Sequence, residues 1–192
     1  MFLALYINFA HDYPLLAMLC LFIVGLSIGS FLNVVIYRLP IMLEREWTAM
    51  SKEFLKLDYT PPQRRFNLIL PHSTCPQCQT KLKWWHNIPL ISYLILKGQC
   101  ASCKQKISIR YPIIELVTGL LTVLAFIQFG ATFQFLAACL FIWILIALTM
   151  LDIDTQLLPD NLTQPLLWLG LLVNSYNLFV PLTEALYSAV GA

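Results

Sequence analysis

The chain has 192 residues, of which 59% are hydrophobic and 11% charged, against roughly a quarter charged in soluble domains. With a mean hydropathy of +0.73, it is not an ordinary soluble domain. These figures imply an all-α polytopic membrane protein. The formal net charge is only +2, yet all twelve Lys and Arg residues lie between Arg38 and Arg110. Basic residues concentrate in cytoplasmic loops, so segment 38–111 is expected in the cytoplasm, with the N-terminus outside. Confined to a loop between spans, these charges do not read as a nucleic-acid surface, and membrane lipid is the expected surrounding.

Residues 1–14 form a short, mostly apolar lead with His11, Asp12 and Pro14. No basic n-region precedes it and no small-residue cleavage site follows, so it does not read as a signal peptide. The first transmembrane helix is expected over 15–37, long enough to cross a hydrocarbon core of about 30 Å. Gly25, Gly29 and Asn33 recur at intervals of four and share one helical face. Gly25 and Gly29 admit a second helix closely, and Asn33 with Ser30 can hydrogen-bond across that contact, which is an ordinary packing role.

Arg38 then marks the cytoplasmic edge. Residues 40–72 read as a polar connector with a turn at Pro61-Pro62, and part of 41–56 as an amphipathic helix on the membrane surface with Trp47 as an anchor. Cys75-Pro-Gln-Cys78 is followed, after twenty-one residues, by Cys100-Ala-Ser-Cys103. Two C-x-x-C knuckles at this separation have the spacing of a tetrahedral four-cysteine zinc site. A reducing cytoplasm disfavours disulfides, while redox dithiols and free thiols stay as alternatives. Four thiolates close the metal shell, so Cys75, Cys78, Cys100 and Cys103 are expected to hold a structural zinc. His72 and His86 are read as non-ligands, and Lys81, Lys83, Lys97, Lys104 and Lys106 partly offset the thiolate charge. Between the knuckles, 90–96 is apolar but too short to span. It is either interfacial or the packed body of the zinc module. Cys20 and Cys139, inside spans, read as small buried hydrophobes.

Region 112–192 is expected to carry three further spans, over 112–129, 133–151 and 162–180, for about four in all. Glu115 reads as an acid favoured by the helix dipole in a first turn. The apolar run before 151 delivers Asp152, Asp154 and Asp160 within nine residues. Acids at a membrane edge are functional candidates. On a continuous helix Asp152 and Asp154 point about 200° apart and cannot face one another. Asp160, after Pro159, suits a cap, with Asn161 the alternative. Asp152 is therefore the candidate catalytic residue, expected at the cytoplasmic edge and facing inward. Pro159 breaks the helix and Pro165 distorts the next one. No internal repeat is apparent.

Four pieces of this chain resemble the type IV prepilin peptidase family. They are Gly29-Ser-Phe-Leu-Asn-Val-Val-Ile-Tyr-Arg-Leu-Pro40, the paired knuckles, Arg110-Tyr-Pro-Ile-Ile-Glu-Leu116, and Leu151-Asp-Ile-Asp-Thr-Gln-Leu-Leu-Pro-Asp160 with Leu166-Leu-Trp-Leu-Gly170. The resemblance implies an intramembrane aspartic protease of the bacterial inner membrane. Such an enzyme cuts leaders from type IV prepilins and type II secretion pseudopilins, then methylates the new N-terminus with S-adenosylmethionine. It implies that Asp152 is the first catalytic aspartate and that the cysteine loop serves the zinc module and methyl transfer. The second catalytic aspartate of the family lies in a Gly-x-Gly-Asp motif that these 192 residues lack. The chain is accordingly expected to correspond to the N-terminal two-thirds of a family member and not to cleave prepilin alone. A non-catalytic module binding pilin or secretion-machinery partners, and a methyltransferase-only remnant, are the alternatives.

Overall fold

The computed structural model describes residues 12–58, 66–71, 74–75, 77–78, 80–81 and 88–191. Residues 1–11, the expected Pro61-Pro62 turn, Lys83, His72 and His86 lie outside them. Among the described residues six named helices follow in order: α1 (Pro14–Phe54), α2 (Ile91–Ile95), α3 (Arg110–Phe129), α4 (Phe133–Thr155), α5 (Asp160–Ser175) and α6 (Leu182–Val190). Among the described residues, α1, α3 and α4 are long and apolar enough to cross a membrane, and the protein is a mostly helical polytopic membrane protein.

Helix α1 is 41 residues long, about 60 Å at 1.5 Å per residue, or twice a hydrocarbon core. The expected first span is its N-terminal half. The helix does not give way to a connector after Tyr37, so the amphipathic segment expected at 41–56 is a continuation of the span rather than a separate surface helix. Pro40 removes one backbone hydrogen bond, but packing carries the helix across it. Leu39 and Leu43 on the far side, with Val35 before it, are buried together with Leu151 of α4.

Helices α1 and α3 run antiparallel with a close contact. A Cβ added to Gly25 would lie 2.8 Å from Gly119 Cα, and one added to Gly29 would lie 2.7 Å from Glu115 Cα. One turn further, Asn33 Nδ2 donates to Tyr111 O at 3.1 Å. The expected small-residue face is thus the helix contact. Thr118 and Thr122, fully buried opposite the glycines, satisfy their hydroxyls on Ile114 O and Thr118 O, both at 2.7 Å. Trp143 of α4 donates to Thr122 Oγ1 at 3.1 Å. Three apolar clusters stack along the bundle. One contains Ala17, Ala125, Phe126, Phe135 and Cys139, the next Leu32, Ile36, Ile114 and Ala147, and the third joins α1 to Leu151. Cys139 is core, as expected. Cys20 is exposed instead, because it turns away from the α3 contact.

The α3–α4 turn uses Gly130 at φ 62°, and Thr132 caps α4 by accepting from Phe135 N at 3.3 Å. Helix α4 runs four residues past its expected end to Thr155, where Gln156 takes a left-handed conformation (φ 53°, ψ 31°). The fourth expected span is α5, only 16 residues long with Pro165 inside it, or about 24 Å. Among the described residues, three helices thus reach spanning length, with α5 a shorter fourth. Pro159, not Asp160, occupies the α5 N-cap, and no side chain caps the helix. Asp160 is in the first turn, where the helix dipole rather than a capping bond favours it.

Candidate functional site

The N-terminus of α3, the C-terminus of α4 and the middle of α1 meet at one end of the bundle, and the chemistry-bearing residues gather there. Arg38 is buried and donates to Asn67 O at 2.9 Å and Pro71 O at 2.6 Å. It holds the loop against α1 instead of standing free at a membrane edge. Asn67 Oδ1 in turn accepts from Ile69 N and Leu70 N at 2.9 and 2.6 Å. Phe66 lies under the Arg45 guanidinium, 4.4 Å from its ring centroid.

Glu115 is buried, and it is the sixth residue of α3, not a member of the first turn. The helix begins at Arg110, two residues before the proline taken as its start. The Glu115 carboxylate accepts from Leu90 N at 2.8 Å and from the Ser30 hydroxyl. Leu90 has φ 57° and ψ −49°, a conformation costing a side-chain-bearing residue about 1–3 kcal/mol. Glu115 therefore ties the segment between the knuckles to the α1–α3 pair and helps hold that strained turn.

The two knuckles fold as a matched pair. An antiparallel bridge joins Thr74 to Lys81, and another joins Gln99 to Lys106. Cys75 N donates to Thr80 O at 3.1 Å, and Cys100 N donates to Gln105 O at 2.8 Å. Corresponding residues are offset by the same interval, a local repeat that the sequence reading missed. Its signal was present in lysines placed alike after each knuckle. Cys75 and Cys103 Sγ are 3.8 Å apart, Cys78 and Cys100 Sγ 4.0 Å, and all four sulfurs lie within 4.8 Å of one another. A tetrahedron with zinc–sulfur bonds of 2.3 Å has edges of about 3.8 Å. The four thiols thus fit one tetrahedral metal ion. The Thr80 hydroxyl, 3.3 Å from Cys78 Sγ, and then the Thr80 amide draw that thiol down to about 6. The Cys103 and Ser102 amides lower Cys100. Cys103 moves the other way: the Gln105 amide lowers it, but burial and the three neighbouring thiols push it up to about 11. Cys78 and Cys100 are thus the pair already drawn toward the thiolate that a metal ligand requires.

The three aspartates separate into different roles. Asp154 is committed: Arg110 Nη1 and Nη2 reach its two carboxylate oxygens at 2.5 and 2.8 Å. A cleft of about 220 Å³ opens beside this pair, lined among others by Asn33, Tyr37, Ser108 and Tyr111. Asp160 lies beyond the helix break. Asp152 is exposed, and among the described residues no partner holds its carboxylate. Within the described residues it lies outside the packed core, because the intact α4 turns Leu151 into that core. The continuous helix through Thr155 keeps Asp152 and Asp154 on different faces, as their spacing requires. Sequence reasoning missed Arg110 as an ion-pair partner and Leu90 as the donor to Glu115.

Residues 23–129 match the bacterial peptidase A24 N-terminal domain, and residues 139–192 match the type IV leader peptidase family. The chain is similar to the prepilin leader peptidase/N-methyltransferase of Stutzerimonas stutzeri, with 50% identity over 184 residues, covering 96% of this chain and 64% of that protein. The same comparison with the Pseudomonas aeruginosa prepilin leader peptidase/N-methyltransferase gives 48% identity, covering 96% and 63%. With the Neisseria gonorrhoeae protein of that name it gives 52%, covering 88% and 59%. The chain thus spans somewhat under two-thirds of these relatives. No solved structure matches it.

Proposed function

This chain belongs to the type IV leader peptidase family, and we propose that it supplies the first catalytic carboxylate of a membrane aspartic endopeptidase. In this reading the enzyme cleaves type IV prepilin and type II secretion pseudopilin leaders at the cytoplasmic face of the bacterial inner membrane. It then methylates the new N-terminus with S-adenosylmethionine, a co-substrate to which no residue is assigned. The observation carrying the reading is that, of the three acids on α3 and α4, Asp152 is the one without a partner among the described residues. Asp154 is held by Arg110 and Glu115 by Leu90. In an aspartic hydrolase two carboxylates share a proton around one water. The ionised one takes a proton from the water as it attacks the scissile carbonyl, and the protonated one hydrogen-bonds the developing oxyanion. Asp152 is proposed as one member of that pair. The second is not among these 192 residues, which are therefore expected not to hydrolyse prepilin by themselves.

Cys75, Cys78, Cys100 and Cys103 are proposed to hold a structural zinc that folds the loop. A shell of four thiolates leaves no position for substrate or water. The distribution of Lys and Arg supports a cytoplasmic placement for the loop and for Asp152, with the N-terminus outside. The Arg110–Asp154 contact supports one side for both, because it joins the end of the loop to the end of α4.

One observation favours a second reading: Asp152 has no facing carboxylate among the described residues. That suits a non-catalytic membrane module binding pilin or secretion partners, or a methyltransferase-only remnant. Membranes containing the chain, alone and with the C-terminal third of the Stutzerimonas relative, separate the three. Leader loss and methyl incorporation on a prepilin are read by mass. Both reactions in the paired sample support the peptidase reading. Methylation of a pre-cut pilin without cleavage supports the remnant, and pilin retention with neither reaction supports the module.

A further inference from the structure

The short helix between the knuckles turns its apolar side chains away from the protein. Ile91, Leu94 and Ile95 occupy one helical face by their spacing and are 54%, 73% and 74% exposed, whereas Ser92 and Tyr93 face inward and are half-buried. Exposure alone does not say what covers such a face. Depth does, and the bond from Leu90 to Glu115 sets it. Helix α3 has 20 residues, about 30 Å, so Arg110 and Phe129 mark the two edges of a hydrocarbon core. Glu115 lies five residues inside the Arg110 end, about 7.5 Å along the axis, and helical side chains lean back toward the N-terminus. Its carboxylate therefore meets Leu90 in the boundary layer between acyl chains and headgroups, where the apolar face of an interfacial helix sits about 5–10 Å deep.

Charge completes the pattern. Five lysines and no acid lie between residues 74 and 109. Lys97 follows the Leu96 C-cap of α2, and the Gln99–Lys106 bridge with the Ile107 N to Gly98 O bond at 2.7 Å brings Lys106 alongside it. We propose that α2 is a membrane-inserted wedge. Ile91, Leu94 and Ile95 enter the acyl boundary of the leaflet at the Arg110 end, and Lys97 and Lys106 engage the phosphates of anionic phospholipids above it. The cysteine module is then seated on the bilayer surface, not suspended from a free loop. This inference rests on α3 crossing the membrane and is independent of the reaction.

Photo-cross-linking of the full chain in nanodiscs tests it. The photoreactive residue p-benzoylphenylalanine is placed at position 94 or 95, with position 93 as the inward control and position 124, on the exposed face of α3, as the lipid-facing reference. Lipid adducts at 94 and 95 are expected to approach those at 124 and to exceed those at 93 by about fivefold. Yields at 94 and 95 no higher than at 93, or adducts to a second copy of the chain instead of lipid, overturn the wedge. With phosphatidylglycerol present, the yield at 94 is expected to rise about threefold over phosphatidylcholine alone, and Lys97→Gln with Lys106→Gln to abolish that rise. Equal yields in both lipids overturn the anionic headgroup assignment. Glu115→Ala is expected to lower the yield at 94 by about threefold, while Glu115→Gln, which keeps an acceptor oxygen, retains it. An undiminished yield in Glu115→Ala overturns the tether as the source of depth.

Discussion

Arg110 grips Asp154 across 44 residues of sequence with two parallel hydrogen bonds of 2.5 and 2.8 Å. A fork-to-fork contact of this kind fixes geometry as well as charge. It joins the first turn of α3 to the last turn of α4 and gives the Asp154 carboxylate a fixed partner. Both side chains are 35% exposed, so the pair falls in the range of about 0.2–1 kcal/mol for solvent-screened ion pairs.

Asp154→Asn in the complete enzyme is accordingly expected to lower Tm by roughly 1–4 °C for a chain of this size and to leave leader cleavage within about twofold of the unsubstituted protein. Thermal unfolding in detergent and a prepilin cleavage assay check this together. A large loss of cleavage at unchanged Tm would assign Asp154 to the chemistry.

The four sulfurs, within 4.8 Å of one another, are expected to bind one zinc per chain. Cys75→Ser or Cys100→Ser removes a ligand whose binding energy is also folding energy. Each should lose the metal and open the loop to protease, with the helical content of the spans retained. Elemental analysis and limited proteolysis report the two effects separately. Purified reduced protein without zinc would refute the metal assignment.

Two helical glycines, Gly29 in the α1–α3 contact and Gly170 in α5, carry predictions of opposite sign. In Gly29→Ala the new Cβ meets Glu115 Cα at 2.7 Å, backbone that cannot step aside, so an overpacking cost of about 1–3 kcal/mol is expected. In Gly170→Ala nothing lies within 4 Å of the new Cβ, and removing a helical glycine should stabilise by roughly 0.5–1 kcal/mol. Denaturant midpoints of the two variants compare them directly.

Much of this arrangement is legible in the chain because it rests on local spacing. Gly25, Gly29 and Asn33 announce a helix contact through their fourfold interval, and each knuckle brings its own two thiols. Asp152 and Asp154 separate by helical geometry alone. What stayed hidden depends on partners distant in sequence. Nothing near Arg110 names Asp154, and nothing near Glu115 names the amide of Leu90. Arg38 read as an edge charge because its acceptors are backbone carbonyls, which carry no residue signature. The extension of α1 was hidden for another reason. A proline and a run of mixed charges resemble a helix end unless the burial of Leu39 and Leu43 against Leu151 is known. The shortness of α5 is a boundary effect, since apolar composition continues past the residue where its hydrogen bonding stops.

The central claim is that Asp152 carries one of the two catalytic carboxylates. The most direct measurement is leader cleavage of a prepilin in membranes by this chain joined to the C-terminal third of the Stutzerimonas relative, with and without Asp152→Asn. Asparagine keeps the size of the side chain and cannot exchange the proton, so a loss of about a thousandfold or more is expected, with protein level and zinc content unchanged. Cleavage by Asp152→Asn at the unsubstituted rate would contradict the claim.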